Sequence, residues 1–358
     1  MTALQPQFGS PIRKTRAPIR VMLVDDSVVA RSIFARVLGQ HDQIEIVCEA
    51  EDSEIALACL DNNVVDIILL DIEMPKRSGL DALPDIQAKA KGARILVVSA
   101  FAEENGPAAI DALSRGACDT LAKPGRSGFS GRFSEILIDK VVRLGRSARD
   151  KRDAGHAATL AADGRLIFRP ACIAIGSSTG GIPAIYEVVR NLPKAIDCPM
   201  FVTQHLPQAF MTFFAKQLAS FTHRTVKVAE RGEIVLSNHI YVAPGDAHLI
   251  CRKERGKVVI DHLEEYAESR YCPSVDAMLE SVAQIYGAEA MAMIFSGMGN
   301  DGVHGARLLA AKNATILVQD SDSSVVWGMP GAIAREGLAT AILDPAQITQ
   351  LLKQVAAR

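Results

Sequence analysis

The sequence predicts an α/β protein built from two doubly wound parallel-sheet domains. Two observations predict this class: short apolar runs alternate with longer amphipathic runs along most of the 358 residues, and a polar stretch at 145–165 interrupts the alternation. Strands that alternate with helices form a parallel sheet that helices cover on both faces. A chain of this length is also expected to fold around more than one core.

The first series of alternating runs extends from Ile19 to about Leu144. Its strand candidates are the runs IRVMLV, IEIVCEA, VVDIILL, RILVVSA and ACDTLA. Helix candidates lie between these runs, near 28–38, 53–60, 80–90 and 107–115, and another follows Phe133. The series therefore predicts one parallel-sheet domain over 19–144.

A second series of strands and helices starts at Ala171. Its clearest strand candidates are ACIAIG, CPMFVTQ, HIYVAP, AMAMIFSG and ATILVQ. The helix candidates of this series cover 182–191, 210–219, 275–286 and 303–311. We therefore expect a second parallel-sheet domain over 168–358.

Two segments outside these domains have a polar composition. Residues 145–167 are rich in Ala, Gly, Arg and Asp, which favours a solvated linker. The alternative is that the basic cluster of this segment docks on an acidic surface. Residues 1–18 lack the apolar segment of a signal peptide, so we expect a disordered tail.

Composition excludes several classes of protein. Lys and Arg number 39 against 41 Asp and Glu, a balance that gives no bulk attraction for nucleic acid or an anionic membrane. No apolar stretch approaches the roughly 20 residues needed to span a bilayer. The seven cysteines include no C-x-x-C pair, so we expect them to be reduced core residues. The sequence is thus typical of a cytoplasmic protein, expected to be a monomer that neither inserts into a membrane nor binds nucleic acid.

Polar side chains follow several strands of the first series, at the point where each strand ends. Asp25 and Asp26 follow the first strand, Asp71 ends the third, Ser99 ends the fourth and Lys123 follows the fifth. In a doubly wound sheet these side chains converge at one edge. Clustered carboxylates suit a hard cation such as Mg²⁺, while a hydroxyl and an ammonium group can bind phosphoryl oxygens. A single aspartate of this kind commonly caps a helix, but the combination favours a binding site.

The stretch GSSTGG at 176–181 leaves three structures open: a phosphate-binding loop, a sharp turn that exposes a nucleophilic serine, or a plain capped turn. A dinucleotide site would need an acid about 20 residues further on. The next strand instead ends in Gln204 and His205, and a later strand runs into GMGNDG, which carries Asp301. Histidine can serve as the base for a serine, and aspartate can orient that histidine. The order Ser, His, Asp differs from that of the α/β-hydrolases, so their fold is disfavoured.

The first series resembles the receiver domain of bacterial response regulators in the motifs VDDS, LLDIEMP, VVSA and LAKP. The resemblance implies that a sensor histidine kinase donates a phosphoryl group to Asp71. It also implies a Mg²⁺ site formed by Asp26, Asp71 and the carbonyl of Glu73, with Asp25 acting through water, and phosphate sensing by Ser99 and Lys123. Receivers often carry an aromatic residue where this chain has Thr120, which puts any switch based on that ring in doubt.

The second series resembles the chemotaxis protein-glutamate methylesterases, in the motifs IAIGSSTGG, TQHLP, YVAPGD, PSVD, SGMGNDG and WGMP. The resemblance implies a triad in which Ser178 is the nucleophile, His205 the base and Asp301 the residue that orients the base. We expect Thr179 to help hold the histidine and the backbone N–H of Met298 to stabilise an oxyanion.

The same resemblance implies hydrolysis of glutamate methyl esters on methyl-accepting chemoreceptors, and deamidation of certain glutamines, with no cofactor in the esterase domain. We expect the unphosphorylated receiver to obstruct the esterase cleft. Two departures from the family pattern, Cys272 before PSVD and the apolar segment QAFMTFFAK, could alter the substrate groove. The alternatives are a second domain that only binds a partner and one that binds a nucleotide.

Overall fold

The structure is a computed structural model, and it describes residues 17–99, 106–123, 131–153 and 169–357. The predicted tail at 1–18 lies almost entirely outside the described residues, as does the part of the predicted linker after Asp153. Within the described part of the chain, no helix combines the length and the apolar character that a membrane span requires.

The first sheet has five parallel strands in the order β2-β1-β3-β4-β5. The strands are β1 (Ile19–Val24), β2 (Ile44–Ala50), β3 (Ile67–Asp71), β4 (Arg94–Ser99) and β5 (Asp119–Ala122). The helices are α1 (Val28–Gly39), α2 (Ser53–Asn62), α3 (Gly79–Lys89), α4 (Gly106–Ser114) and α5 (Gly131–Asp153). Every residue of β3 is buried, as a central strand with helices on both faces requires.

The second sheet has seven strands, all parallel, in the order β14-β13-β12-β6-β7-β9-β8. Its strands are β6 (Cys172–Ser177), β7 (Met200–Gln204), β8 (Thr225–Val228), β9 (His239–Val242), β12 (Ala290–Ile294), β13 (Thr315–Gln319) and β14 (Ala341–Leu343). Its helices are α6 (Ile182–Arg190), α7 (Gln208–Ala219), α8 (Val275–Tyr286), α9 (Val303–Ala311), α10 (Met329–Arg335) and α11 (Pro345–Ala356). The predicted class, α/β with two parallel sheets, is confirmed.

An antiparallel hairpin in the second half was not among the predicted elements. It consists of β10 (His248–Glu254) and β11 (Lys257–Leu263), which form a separate two-stranded sheet. Both strands mix charged residues with apolar ones, because only one face packs against the domain. That pattern lacks the continuous apolar run of a parallel strand buried on both faces.

The two halves of the molecule pack against each other. Helix α4 lies against α7 and α6. One buried apolar cluster includes Ile110 and Leu113 of α4 together with Phe210 and Phe214 of α7. Gly106 is required at the start of α4, because a Cβ there would lie 2.6 Å from the ring of Phe213.

Helix α5 extends to Asp153, so the first part of the predicted linker segment is helical. Cys48 and Cys59 form a disulfide, so the expectation that all cysteines are reduced is wrong for this pair. The remaining cysteines are free; Cys272 is exposed and the others are buried.

Candidate active site and phosphorylation site

The candidate catalytic residues follow three neighbouring strands of the second sheet. β6 lies between β12 and β7. Ser178 comes directly after β6, His205 directly after β7, and Asp301 in the loop that follows β12. The connection after β6 leads to β7 on one side, and the connection after β12 leads to β13 on the other side. The crevice at such a switch point is where ligands bind in parallel α/β sheets.

Close backbone packing fixes the loop that carries Ser178. The Ser178 N–H donates to the carbonyl of Ser296 at 3.0 Å, and the Gln204 side-chain amide donates to the Ser178 carbonyl at 3.0 Å. Gly180 has a φ of +75°, and a Cβ there would lie 2.2 Å from the Cβ of Val325. The glycine is therefore needed both for the turn and for the close approach of the neighbouring loop.

His205 and Asp301 form the contact expected of a base and its orienting acid. His205 Nε2 lies 2.7 Å from Asp301 Oδ2. With the Nε2 proton donated to that carboxylate, Nδ1 carries the lone pair of the neutral ring. Nδ1 is buried and has no hydrogen-bond partner within the described residues. It is therefore the nitrogen available to accept a proton.

Ser178 and His205 line the same pocket. Within the part of the chain that the structure describes, the Ser178 hydroxyl and the imidazole are not hydrogen-bonded to each other. Such catalytic hydrogen bonds often form only when substrate binds. The structure thus brings the predicted nucleophile and the predicted base into one cavity, with Nδ1 of His205 unpaired among the described residues.

The Asp301 carboxylate accepts hydrogen bonds on both oxygens. Besides His205, the donors are the N–H groups of Val275 (2.8 Å) and Asp276 (3.1 Å) and the hydroxyls of Ser274 (2.9 Å) and Ser269 (3.3 Å). Burial acts to raise the pKa of Asp301, but His205 and these donors outweigh it and lower the pKa below its usual value. Asp301 is therefore held as a carboxylate beside the imidazole.

Met298 and Thr179 are the remaining residues predicted for the esterase site. The Met298 N–H donates no hydrogen bond to any described residue. The Thr179 hydroxyl donates to Asp119 Oδ2 at 2.7 Å. The structure thus places the Thr179 hydroxyl against the other domain, and its contact with the histidine stays a prediction.

Residues of the first domain cover the candidate active site. Leu113, Ala117 and Asp119 line the pocket that contains Ser178 and His205. Asp119 also receives a hydrogen bond from Lys140 of α5 at 2.5 Å, on the oxygen that Thr179 bonds. The Asp119 carboxylate thus joins α5 and β5 of the first domain to the loop that carries Ser178.

Further hydrogen bonds join the two domains around this pocket. The carbonyl of Val325 accepts from Arg94 (3.1 Å) and from Ser147 (2.5 Å). The side-chain amide of Gln217 donates to the Ser114 hydroxyl at 3.1 Å. The two domains are therefore joined by side-chain hydrogen bonds in addition to the one at Asp119.

The acidic residues of the first domain converge as expected. Carboxylate oxygens of Asp25, Asp26 and Asp71 lie within 4.8 Å of one another. Lys123 Nζ lies 2.7 Å from Asp25 Oδ2 and 2.7 Å from Asp71 Oδ2. Burial raises the pKa of Asp71 to about 6, although Lys123 acts to lower it. A cation among these acids would relieve that burial penalty and the mutual repulsion.

Two further predicted residues are Glu73, two residues after Asp71, and Ser99, at the end of the strand that pairs with β3. The Ser99 hydroxyl at the end of β4 is buried without a hydrogen-bond partner among the described residues. The Glu73 N–H donates to Asp71 Oδ1 at 3.3 Å. An orphaned hydroxyl and three clustered carboxylates fit a site for Mg²⁺ and a phosphoryl group.

Comparisons with known proteins agree with both halves of this description. A family model described as CheB methylesterase matches residues 173–352. The chain belongs to this family. A model described as response regulator receiver domain matches residues 21–128. The resemblances expected from the motifs are therefore confirmed.

Relatives of this CheB methylesterase family member match along nearly the whole chain. The protein-glutamate methylesterase/protein-glutamine glutaminase 2 of Caulobacter vibrioides is 39% identical over 336 residues, covering 92% of this chain and 96% of that protein. The protein-glutamate methylesterase/protein-glutamine glutaminase of Azospirillum brasilense is 34% identical over 370 residues. The match covers 95% of this chain and 93% of that protein. The Thermotoga maritima CheB methylesterase catalytic domain is similar to 51% of this chain and 97% of its own, at 37% identity and a TM-score of 0.49.

Sequence reasoning did not assign several residues at the site. Ser274 lies in the motif PSVD, from which no residue was predicted to act at the site. Its hydroxyl donates a hydrogen bond to Asp301. Tyr271 stacks on His205, and Asp119 bonds Thr179 across the domain boundary. No spacing along the chain signals these last two contacts, since each joins segments that are far apart in sequence.

Proposed function

We propose that this protein is a phosphorylation-regulated hydrolase that removes methyl groups from glutamate methyl esters on chemoreceptors and deamidates certain glutamines. The family match and the names of relatives at 34–39% identity support this activity. The observation that carries it is the hydrogen bond between His205 and Asp301, in a pocket that Ser178 also lines. We expect the enzyme to be a cytoplasmic monomer.

The reaction is an acyl transfer in two steps. Ser178 Oγ attacks the ester carbonyl carbon while its proton passes to His205 Nδ1. The tetrahedral intermediate carries its negative charge near the Met298 N–H, then expels the methoxy group, which takes the proton from His205 and leaves as methanol. Water attacks the acyl-enzyme with His205 again as base, so Ser178 regains its proton and the product is glutamate. An amide substrate follows the same course and releases ammonia.

Asp301 stabilises the imidazolium that forms twice in this cycle. Its pKa lies below the usual value, so it remains ionised when His205 takes up a proton. Its other hydrogen bonds, from Val275, Asp276 and Ser274, keep the carboxylate oriented. Asp301 and its hydrogen-bond donors therefore do not have to move when the imidazolium forms.

Phosphorylation of Asp71 by a sensor histidine kinase is the proposed regulatory input. Asp25, Asp26 and Asp71, with the Glu73 carbonyl, would hold Mg²⁺, which supplies charge neutralisation for phosphoryl transfer. Ser99 and Lys123 would contact the phosphoryl oxygens. Lys123 forms ion pairs with both Asp25 and Asp71. Phosphorylation of Asp71 would therefore change the partners of Lys123.

The unphosphorylated receiver is proposed to obstruct the active site. Leu113, Ala117 and Asp119 line the catalytic pocket, and Asp119 bonds Thr179, the residue after the nucleophile. Lys123 follows β5, the strand that carries Asp119. A change of partners at Lys123 can thus alter this contact through one short strand.

The experiment that tests the function is a methanol-release assay on methylated receptor membranes. The full-length protein is assayed with and without a small phosphodonor and Mg²⁺. We expect methanol release in both cases and a rate higher by roughly tenfold or more with the phosphodonor, as for other coupled sites. No methanol release under either condition would contradict the proposed activity.

Replacing Asp71 by asparagine is expected to abolish the response to the phosphodonor while leaving the basal rate near that of the wild type. Asparagine cannot form the acyl phosphate. The measurement is methanol release with and without phosphodonor. Asp81→Asn, at an exposed position of α3, is the matched control and should respond normally. A normal response in Asp71→Asn would show that another residue is phosphorylated.

Replacing Asp119 by alanine is expected to raise the basal rate by roughly fivefold, because it removes the hydrogen bond between β5 and the nucleophile loop. The rate is measured without phosphodonor. Asp61→Ala is the control, because it also removes an acidic residue but breaks a salt bridge to Lys89 that lies entirely within the receiver. An unchanged rate in Asp119→Ala would count against obstruction through this contact.

A further inference from the structure

An aromatic ring lies against the proposed catalytic base. The rings of Tyr271 and His205 are nearly parallel, with centroids 4.7 Å apart and an angle of 12° between their planes. The imidazole is therefore fixed in two ways: its Nε2 is bonded to Asp301, and one face of the ring is covered by Tyr271. A hydrogen bond at one atom still allows the ring to tilt about that atom, whereas a stacked ring restricts the tilt.

The position of Tyr271 is itself held by residues of the site. Its N–H donates to the Ser269 hydroxyl at 3.2 Å, and that hydroxyl in turn bonds Asp301. A Cβ at Gly299 would lie 2.5 Å from the Tyr271 hydroxyl oxygen, so the loop that carries Asp301 needs a glycine where the tyrosine packs. Tyr271 is thus fitted to the same loop that supplies the acid.

The neighbouring Arg270 contacts the far end of the tyrosine. Its Nη2 donates to the Tyr271 hydroxyl at 3.2 Å, and its guanidinium carbon lies 5.2 Å from the ring centroid. Arg270 itself is exposed. The hydroxyl of Tyr271 therefore points to a surface arginine, while the ring contacts the buried site. This separation allows the role of the ring to be tested apart from that of the hydroxyl.

We propose that Tyr271 is a positioning residue that holds the His205 imidazole in its reactive plane and stabilises the imidazolium formed during the reaction. This inference rests on the proposed function. The face of an aromatic ring carries partial negative charge, so it attracts a cation more strongly than a neutral group. His205 becomes cationic only after Ser178 has lost its proton, so the stack favours the transition state over the ground state.

The test compares the full-length variants Tyr271→Leu and Tyr271→Phe with the wild type, in the presence of phosphodonor. Leucine keeps an apolar side chain but removes the aromatic face, and phenylalanine keeps the face but removes the hydroxyl. We expect Tyr271→Leu to lower kcat for methanol release by roughly tenfold with KM changed less than about twofold, and Tyr271→Phe to retain most of kcat.

Phe221→Leu is the matched control. Phe221 also has an aromatic neighbour, Tyr186, and an arginine over its ring, Arg190, but it lies after α7, away from His205. We expect its kcat to equal that of the wild type. Absence of methanol release by the wild type would be a failure of the proposed function, which is distinct from a failure of this inference.

Three outcomes would overturn the role of Tyr271 in an enzyme that is otherwise active. These are an unchanged kcat in Tyr271→Leu, an equal loss in the Leu and Phe variants, and a change confined to KM. A second measurement does not depend on the folding of a variant. In the phosphodonor-treated wild type, ring current from Tyr271 should shift the His205 C–H proton resonances upfield, and unshifted resonances would also overturn the proposal.

Discussion

Replacing Ser178 by alanine is expected to abolish methanol release, lowering kcat by roughly 10⁴-fold or more. The variant has no oxygen to form the acyl-enzyme, and His205 then has no proton to accept from the nucleophile. The loop itself should keep its structure, because its fixed contacts run through the Ser178 N–H and carbonyl rather than the hydroxyl. The measurement is methanol release from methylated receptor membranes with phosphodonor present.

Ser177→Ala is the matched control for this prediction. Ser177 ends β6, is fully buried, and its hydroxyl makes only a long contact, 3.5 Å, to the Ser296 carbonyl. Its loss should change kcat far less than loss of Ser178. A Ser178→Ala variant that keeps near-normal activity would exclude Ser178 as the nucleophile, and a larger loss in Ser177→Ala would assign that role to its neighbour.

Replacing Asp301 by asparagine is expected to lower kcat by roughly 10³- to 10⁴-fold. The carboxylate accepts hydrogen bonds on both oxygens, from His205, Val275, Ser274 and Asp276. An asparagine NH₂ group can only donate, so it must face donor groups on one side of the site. If it faces His205, Nε2 has to accept its hydrogen bond, and the ring proton is then on Nδ1. Such a ring cannot accept the serine proton. The measurement is again kcat for methanol release, with thermal unfolding to check that the fold persists.

Asp276→Asn is the control, because its carboxyl is also buried at the same place. Burial and the neighbouring charge of Asp301 raise the pKa of Asp276, so asparagine resembles the protonated form that these effects favour. Its effect on kcat should be much smaller. Equal losses in the two variants would indicate that Asp301 acts only through the packing of α8 and its surroundings.

The strand ends that carry the candidate site residues could be predicted from the sequence, whereas β8 and β14, at the edges of the second sheet, were not among the predicted strands. Runs such as IILL, before Asp71, and AMAMI are apolar throughout because these strands are buried on both faces. The polar residue that follows such a run must lie at the carboxyl edge of the sheet. This rule was sufficient to predict that Asp71 lies near Lys123 in the first domain and that His205 lies near Asp301 in the second.

Contacts between distant segments could not be predicted in the same way. Thr179 was expected to hold His205, but its hydroxyl bonds Asp119 of the other domain, since the packing of two domains leaves no periodic signal in either. The stacking of Tyr271 on His205 depends on how the segment before α8 folds over the site. The disulfide between Cys48 and Cys59 joins a strand to a helix, which spacing alone does not indicate.

Covalent labelling tests most directly whether Ser178, His205 and Asp301 act as one unit. The full-length protein is treated with phosphodonor and then with a phosphonate ester probe, and the modified residue is identified by mass spectrometry. We expect the label on Ser178, at a rate that falls by roughly 10³-fold in Asp301→Asn. A label on another residue, or a rate on Ser178 that does not depend on Asp301, would contradict the triad.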